Sequence, residues 1–237
     1  MTLSPSKQNL FRLMMDAQAL RFGSFTLKSG RVSPYFFTTG QFHTGPLLER
    51  LCEHYAERIA EQTPGVTIVF GPAYKGIPLC VVTALALSRR LNRPIGYLFN
   101  RKEEKTHGDK GLFVGQTPGP ADRLAMVDDV ITDGGTKREA VQLLRAAFSN
   151  PIDLLVIAFD RMEQGLAGQD AIAEFQRATQ VPVSPLFNLD DLLAALTGGE
   201  GGRPALWPPE APPLPPDVPA RLSAYRRQYG LPAGGPG

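Results

Sequence analysis

Residues 123–139 read Arg-Leu-Ala-Met-Val-Asp-Asp-Val-Ile-Thr-Asp-Gly-Gly-Thr-Lys-Arg-Glu, and this stretch decides the fold. Residues 124–127 form a short apolar run that is typical of a buried parallel strand. Asp128 and Asp129 follow where that strand should leave the sheet, and residues 132–136 form a small turn containing two glycines. From Arg138 onward, apolar residues recur with helical spacing. The stretch therefore predicts strand, turn and helix, the repeating unit of open α/β sheets.

The turn and the helix start predict an anion site, because backbone N–H groups and the helix dipole point at such a turn. Two carboxylates beside it favour a ligand with both hydroxyls and phosphate, such as a ribose 5-phosphate. We expect Asp128 and Asp129 to face an open crevice, where they accept hydrogen bonds from vicinal hydroxyls or position a hydrated Mg²⁺. The alternative is an ordinary turn whose acids cap the helix, but adjacent acids at a strand end are costly without partners. The phosphate-loop motif of nucleoside triphosphatases is absent.

Length and charge restrict the function classes. The chain has 237 residues and a net charge of +2 with acids and bases interspersed, which indicates neither a nucleic-acid nor a membrane surface. Cys52 and Cys80 both lie in apolar helical contexts, which favours buried thiols over a disulfide. We see no secretory leader and no apolar run long enough to span a bilayer. These features predict a soluble, cytoplasmic α/β protein without nucleic-acid or membrane partners.

The N-terminal region predicts a helix over residues 6–20, then a strand, a tight turn and a second strand carrying Tyr35, Phe36 and Phe37. Two interpretations stay open from the residues alone. The aromatic side chains fill a small core, or Lys28 and the two phenylalanines line a pocket for a flat anionic ring.

Two further loops follow predicted core strands. Residues 71–76, Gly-Pro-Ala-Tyr-Lys-Gly, separate a strand at 66–70 from a helix at 77–91, so they form either a plain connection or a second anion site in which Lys75 binds a diphosphate. Residues 101–111 are polar and follow a strand at 94–100. Such a charge run is usually a solvated surface loop. The alternative, which assigns it a function, is a mobile lid that folds over a diphosphate.

The remaining strands are predicted near residues 152–160 and 181–186. Arg161 follows the first of these, and it either pairs with Asp160 or Glu163 or presents a planar guanidinium to a carboxylate. Residues 198–219 are dense in glycine and proline and predict an exposed linker or insert with no assigned chemistry. We expect a C-terminal helix at 220–230 that packs on the core, and a frayed tail at 231–237.

Several of these motifs resemble one family. Val-Asp-Asp-Val-Ile-Thr at 127–132, with its glycine turn, resembles the phosphoribosyl-diphosphate signature of the type I phosphoribosyltransferases. The orotate phosphoribosyltransferase branch is similar at five other places: Phe-Thr-Leu-Lys-Ser-Gly at 25–30, Tyr-Phe-Phe at 35–37, Ala-Tyr-Lys-Gly at 73–76, Arg-Lys-x-x-Lys-x-His-Gly at 101–108 and Asp-Arg-x-Glu-x-Gly at 160–165. The resemblance covers about residues 6–197 and 220–229.

The resemblance implies a fold and a reaction. The fold is the type I phosphoribosyltransferase fold, a mainly parallel, doubly wound α/β sheet in residues 1–197, with a small N-terminal hood mainly in 1–45 and a core in 46–197. The reaction is transfer of the 5-phosphoribosyl group from 5-phosphoribosyl 1-diphosphate to orotate, a step of UMP biosynthesis that uses Mg²⁺. The partner is a second copy of the chain, and loop 101–111 reaches the neighbouring site. A uracil or purine phosphoribosyltransferase and a non-catalytic regulator on the same fold are the alternatives.

The resemblance also implies the site residues. It assigns catalysis to Lys105, His107, Asp128 and Asp129. Contacts to the sugar diphosphate fall on Tyr74, Lys75, Arg101, Lys102, Lys105, His107, Asp128, Asp129, Val130, Ile131, Thr132, Asp133, Gly134, Gly135 and Thr136, and contacts to orotate on Lys28, Phe36, Phe37, Thr132 and Arg161. Mg²⁺ would be held mainly by the substrate's diphosphate and ribose hydroxyls, with Asp128 or Asp129 able to reach it through water. Asp133 departs from the family signature, which more often has a small neutral residue there, and we expect its side chain to face solvent.

Overall fold

The computed structural model describes residues 3–27, 29–105, 111–132, 134–165, 168–197 and 204–231, and it leaves the side chains of residues 104 and 105 undescribed. In chain order the elements are α1 (Pro5–Asp16), β1 (Leu20–Thr26), β2 (Val32–Phe37), a short 3₁₀ turn (Thr39–Gln41), α2 (Gly45–Gln62), β3 (Ile68–Gly71), α3 (Gly76–Leu91), β4 (Gly96–Lys105), β5 (Gly111–Gly115), β6 (Leu124–Val130), α4 (Gly135–Ala147), β7 (Ile152–Asp160), α5 (Ala171–Thr179), β8 (Val183–Asn188), α6 (Leu189–Ala195) and α7 (Val218–Tyr229).

The main sheet has the strand order β5-β4-β3-β6-β7-β8, and its strands are parallel except at the β4–β5 pair. Successive residues of the central strands point to opposite faces. Ile68 and Phe70 therefore pack with Val141 and Phe175 of α4 and α5. Val69 between them belongs to the other core, with residues of α1, α2 and α3. The predicted doubly wound α/β fold is confirmed by this two-sided burial and by the solved structures reported below.

The polar stretch at 101–111 corrects one prediction. β4 continues through Lys105 and pairs antiparallel with β5, with Asn100 opposite Phe113 and Lys105 opposite Gly111. Part of the predicted loop is therefore the flank of a β-hairpin, and residues 106–110 lie outside the described part of the chain. The return strand β5 is short, which is why its three apolar residues give little signal in the sequence.

The hood consists of α1 and the β1–β2 hairpin, and it is anchored to the core by aromatic contacts. Phe37 stacks on Phe159 of β7 with ring centroids 5.0 Å apart. Part of the described glycine- and proline-rich segment packs on this hood, whereas the prolines at 212, 213, 215 and 216 are exposed. Trp207 is buried, lies 5.7 Å from the ring of Phe22, and donates from Nε1 to the carbonyl of Pro212 at 2.9 Å.

Two further predictions can be compared with the structure. Cys52 and Cys80 are buried free thiols, as expected, and burial raises the pKa of each to about 12. None of the helices in the described ranges is both long enough and apolar enough to cross a membrane.

Candidate functional site

The connections after β3, β4, β6 and β7 gather at the carboxyl edge of the parallel sheet, where ligands of open α/β sheets bind. A direct contact joins two of them. Lys75, in the turn after β3, places Nζ 2.6 Å from Oδ2 of Asp129 at the end of β6. The predicted diphosphate turn and the predicted ribose acids therefore lie in direct contact.

The turn at residues 71–76 is closed so tightly that it depends on glycine. A Cβ added to Gly71 would collide with the carbonyl of Gly76, and one added to Gly76 would lie 2.7 Å from the carbonyl carbon of Gly71. The Ala73–Tyr74 peptide bond in this turn is cis. The backbone N–H of Ala73 donates to the side-chain oxygen of Asn100 in β4 at 3.2 Å, which ties this turn to the neighbouring strand.

Cationic side chains of β4 lie beside this turn. The Lys102 ammonium is 5.3 Å from the centre of the Tyr74 ring, which is itself 68% exposed. Arg101 donates from Nη1 to the carbonyl of Gly111 at 2.6 Å and so connects β4 with β5 at the base of the hairpin. The structure therefore brings Tyr74, Lys75 and Lys102 together, whereas the side chain of Lys105 and all of His107 lie outside the described atoms.

The acid pair differs from the expectation of two carboxylates facing an open crevice. Asp128 is 5% and Asp129 8% exposed, and each has a lysine partner. Asp128 Oδ2 lies 2.6 Å from Nζ of Lys137, which is itself buried, and Asp128 Oδ1 accepts the backbone N–H of Asp129 at 2.8 Å. Burial raises the pKa of the Asp128 carboxyl; the Lys137 charge opposes this rise and the Asp129 charge adds to it.

The predicted phosphate turn has the backbone that an anion site requires. Gly134 adopts φ 71°, a left-handed conformation that favours glycine, and it precedes the first residue of α4. As a glycine, this N-cap residue makes no side-chain hydrogen bond to the helix. Thr132 and Thr136 are exposed on this turn, whereas Ile131 is buried in the core and Val130 is half-buried. Asp133 lies outside the described residues.

The predicted orotate residues occupy different surroundings. Phe36 and Phe37 are consecutive in β2, so their rings point to opposite faces. Phe37 is in the core, whereas Phe36 packs 5.6 Å from the Phe25 ring and below the guanidinium of Arg21. The two rings therefore do not line one surface, and Lys28 lies outside the described residues.

Arg161 follows β7 and has protein partners on several sides. Its Nε donates to Glu163 Oε1 at 2.7 Å, its Nη2 donates to Ser33 Oγ at 3.0 Å, and its guanidinium lies 4.3 Å from the centre of the Tyr35 ring. Burial lowers the pKa of Arg161, but Tyr35, Glu163 and Tyr225 raise it by more, so the residue stays cationic. The structure thus shows both the ion pair with Glu163 and a guanidinium held in a fixed plane.

Comparison with known proteins identifies the family. The chain is 40% identical over 226 residues to the orotate phosphoribosyltransferase of Saccharophagus degradans, covering 95% of this chain and 98% of that protein. It is 42% identical to the orotate phosphoribosyltransferase of Nitrosococcus oceani over 95% and 96% of the two chains. The chain belongs to the orotate phosphoribosyltransferase family.

Solved structures agree with this family. The crystal structure of the orotate phosphoribosyltransferase of Francisella tularensis matches with a TM-score of 0.75 and 30% identity, over 93% of this chain and 98% of that one. The Mycobacterium tuberculosis orotate phosphoribosyltransferase in complex with 5-phospho-α-D-ribosyl 1-diphosphate shares the fold, with a TM-score of 0.58 and 21% identity over 79% of this chain and 99% of that one. No protein-family model matches the chain.

The structure of this family member adds one residue that sequence reasoning missed, Lys137. It stands at the third position of α4, where the helix dipole disfavours a cation. A lysine at such a place indicates a nearby acid that compensates for the unfavourable dipole. This is the sequence signal from which an ion pair of Lys137 could have been predicted. Only the tertiary structure shows that the acid is Asp128.

The same pairing bears on Mg²⁺. Within the described ranges, no group of three or more histidine, cysteine or acidic side chains is arranged to hold a metal ion. Asp128 and Asp129 offer the oxygen ligands that Mg²⁺ prefers, but each already has an ammonium at 2.6 Å. The residues therefore fit a metal that the substrate carries and the acids contact through water.

Proposed function

We propose that this protein transfers the 5-phosphoribosyl group of 5-phosphoribosyl 1-diphosphate to orotate, releasing orotidine 5′-monophosphate and diphosphate, as the names of its relatives indicate. This is a glycosyltransferase step of de novo pyrimidine synthesis. The observation that carries the proposal is the contact between Lys75 and Asp129, at 2.6 Å. It joins a cationic turn suited to a diphosphate with an acid pair suited to a ribose, beside a helix N-terminus suited to a phosphate.

The phosphate turn and the acid pair would hold the phosphoribosyl group. Backbone N–H groups of Ile131, Thr132, Asp133, Gly134, Gly135 and Thr136, with the threonine hydroxyls, would bind the 5-phosphate. The Val130 N–H instead donates to Asp129 Oδ1 at 2.7 Å and so orients that carboxylate. Asp128 and Asp129 would accept hydrogen bonds from the ribose 2- and 3-hydroxyls. Their present partners do not prevent this, because two carboxylate oxygens offer about four acceptor sites. The ammonium groups of Lys75 and Lys137 fix the orientation of the two carboxylates.

Bond breaking would depend on cations. Displacement at the ribose passes through a transition state with oxocarbenium character, while negative charge builds up on the departing diphosphate. Tyr74, Lys75, Arg101 and Lys102 would bind and orient that diphosphate. Mg²⁺, when bound with the substrate, neutralises part of its charge. Lys105 and His107 would close over the site and exclude water, which limits hydrolysis of the sugar diphosphate.

Orotate differs from uracil and purine bases by its carboxylate, and Arg161 is the residue suited to recognise it. A guanidinium has five N–H donors, so the bonds to Glu163 and Ser33 fix its plane without exhausting its capacity for a carboxylate. Lys28 would contribute a second positive charge, and Thr132 would border the ring. The strand at Phe36 and Phe37 would offer backbone groups to the ring's imide, because among the described residues the hood sheet contains only β1 and β2.

We infer a homodimer in which the 101–111 hairpin reaches the neighbouring site. The hairpin flanks lie next to an exposed apolar surface, on which Val81 and Leu85 of α3 are 36% and 50% exposed and Tyr97 of β4 is 40% exposed. Val81 and Leu85 are four residues apart and share one helix face. Burying this face against a second copy would remove it from water and place the hairpin of one chain near the other.

Two measurements test the proposal. The purified protein is offered orotate, uracil or adenine with the sugar diphosphate and Mg²⁺, and we expect nucleotide formation with orotate alone; equal use of uracil would favour the alternative base. Lys105→Ala should lower the turnover rate much more than it raises the KM for orotate, because the lid acts on the transition state. Equal effects on both constants would reject the role of Lys105 in catalysis.

A further inference from the structure

The Arg161 guanidinium depends on a carboxylate whose own position is fixed by the C-terminal helix. Glu163 Oε1 accepts from Arg161 Nε at 2.7 Å, and the same oxygen accepts from the hydroxyl of Tyr225 in α7 at 3.0 Å. Two donors on one oxygen fix the rotation of the carboxylate group. Burial and the Glu163 charge raise the pKa of Tyr225 by more than the neighbouring Arg161 guanidinium lowers it, so the hydroxyl keeps the proton that it donates.

The ring of Tyr225 also supports the group on which Arg161 lies. It meets the Tyr35 ring edge-on, with centroids 6.2 Å apart and an interplanar angle of 89°. Tyr35 in turn lies under the Arg161 guanidinium at 4.3 Å. Tyr225 therefore reaches Arg161 by two routes, through the Glu163 carboxylate and through an aromatic stack.

Main-chain contacts hold the Arg161 loop to the end of α7. The N–H of Gln164 donates to the carbonyl of Tyr229 at 2.8 Å, and the N–H of Leu231 donates to the carbonyl of Met162 at 2.9 Å. Gln164 Nε2 also donates to the carbonyl of Gly230 at 3.0 Å. These bonds keep the helix and the loop in one register, so a change in α7 acts directly on the residues beside Arg161.

We propose that Tyr225 is a positioning residue for orotate, which orients Arg161 through Glu163 toward the substrate carboxylate. The inference rests on the proposed function. It gives the C-terminal helix a role in substrate selection, in addition to its packing on the hood. The sugar diphosphate binds elsewhere on the sheet edge, so Tyr225 has no route to that substrate in the contacts described.

Tyr225→Phe tests the inference, because it removes one hydroxyl and keeps the ring. Tyr229→Phe is the matched control on the same helix, since the Tyr229 hydroxyl contacts only exposed Gln228 in the bonds described, at 3.0 Å. We expect Tyr225→Phe to raise the KM for orotate about five- to tenfold. The turnover rate at saturating orotate and the KM for the sugar diphosphate should stay within about twofold, and Tyr229→Phe should match the unsubstituted protein.

Thermal unfolding of both variants shows whether they are folded at the assay temperature. An unchanged KM for orotate in Tyr225→Phe would overturn the positioning role, and so would equal increases of both KM values, which indicate general loosening. Failure of the unsubstituted protein to use orotate would instead overturn the proposed function, and the present inference with it.

Discussion

The buried ion pair between Lys137 and Asp128 allows a sharp prediction, because the site contains a second ion pair of the same length whose acid is also buried but whose lysine lies at the surface. Lys137 Nζ and Lys75 Nζ each lie 2.6 Å from a carboxylate oxygen, but the Lys137 side chain is 10% exposed and the Lys75 side chain 58%. At that distance the Coulomb attraction is about 6 kcal/mol for an effective dielectric constant of about 20. Desolvation offsets much of this attraction, so the informative quantity is the cost of breaking the pair.

Lys137→Met would leave the Asp128 charge buried without its partner. We expect a loss of about 3–5 kcal/mol in the free energy of unfolding. Lys75→Met breaks a pair of equal length whose acid is also buried but whose ammonium is exposed, so water can replace the amine and the loss should be at least about 2 kcal/mol smaller than for Lys137→Met. In the double variant Lys137→Met with Asp128→Asn, the loss should be smaller than the sum of the two single losses by about 2 kcal/mol or more.

Equilibrium unfolding in denaturant at pH 7, at one fixed protein concentration, is measured for Lys137→Met, Lys75→Met, Asp128→Asn, the double variant and the unsubstituted chain. The fixed concentration matters because a dimer's stability depends on it. Equal losses for Lys137→Met and Lys75→Met would refute the argument from burial. Strictly additive losses in the double variant would refute the direct coupling of Lys137 with Asp128.

Two further predictions concern stability. Trp207→Ala should lower the free energy of unfolding by about 3 kcal/mol, because it removes a buried ring that packs on Phe22, and a loss below about 0.5 kcal/mol would mean that residues 204–217 are not docked. Burial raises the pKa of Asp160 from 3.8 to about 6, so its ionisation destabilises the fold as the pH rises through that interval. Asp160→Asn should therefore be more stable than the unsubstituted chain at pH 8, by about 1–3 kcal/mol, with no such advantage near pH 4. A gain of equal size at both pH values would show that it does not come from the titration.

Much of the fold could be predicted from residues with strong local signals. The apolar run at 124–127 and the alternation of Ile68, Val69 and Phe70 are properties of consecutive residues, and they determine a strand and its two buried faces. The edge strand β5 gave a weak signal because it is short and its stability depends on pairing with β4. Trp207 belongs to a segment whose composition predicts an exposed linker, and its docking depends on a hood that is distant in sequence.

The candidate site also contains both residues that local sequence signals reveal and residues whose placement depends on distant contacts. The ligand turns could be located because the glycines of residues 71–76 and 132–136 stand between a strand and a helix. The pairing of Asp128 with Lys137 could not be predicted, because helical geometry and burial together decide where a lysine amine lies. For Phe36 and Phe37 the sequence alone is sufficient. Consecutive residues of a strand point to opposite faces, so their two rings cannot line one surface.

One reaction tests the central claim most directly. The purified protein is mixed with orotate, 5-phosphoribosyl 1-diphosphate and Mg²⁺, and the loss of orotate absorbance is followed together with the release of diphosphate. We expect both to proceed at the same rate and in equal molar amounts. Release of diphosphate without loss of orotate, or no reaction with correctly folded protein, would contradict it.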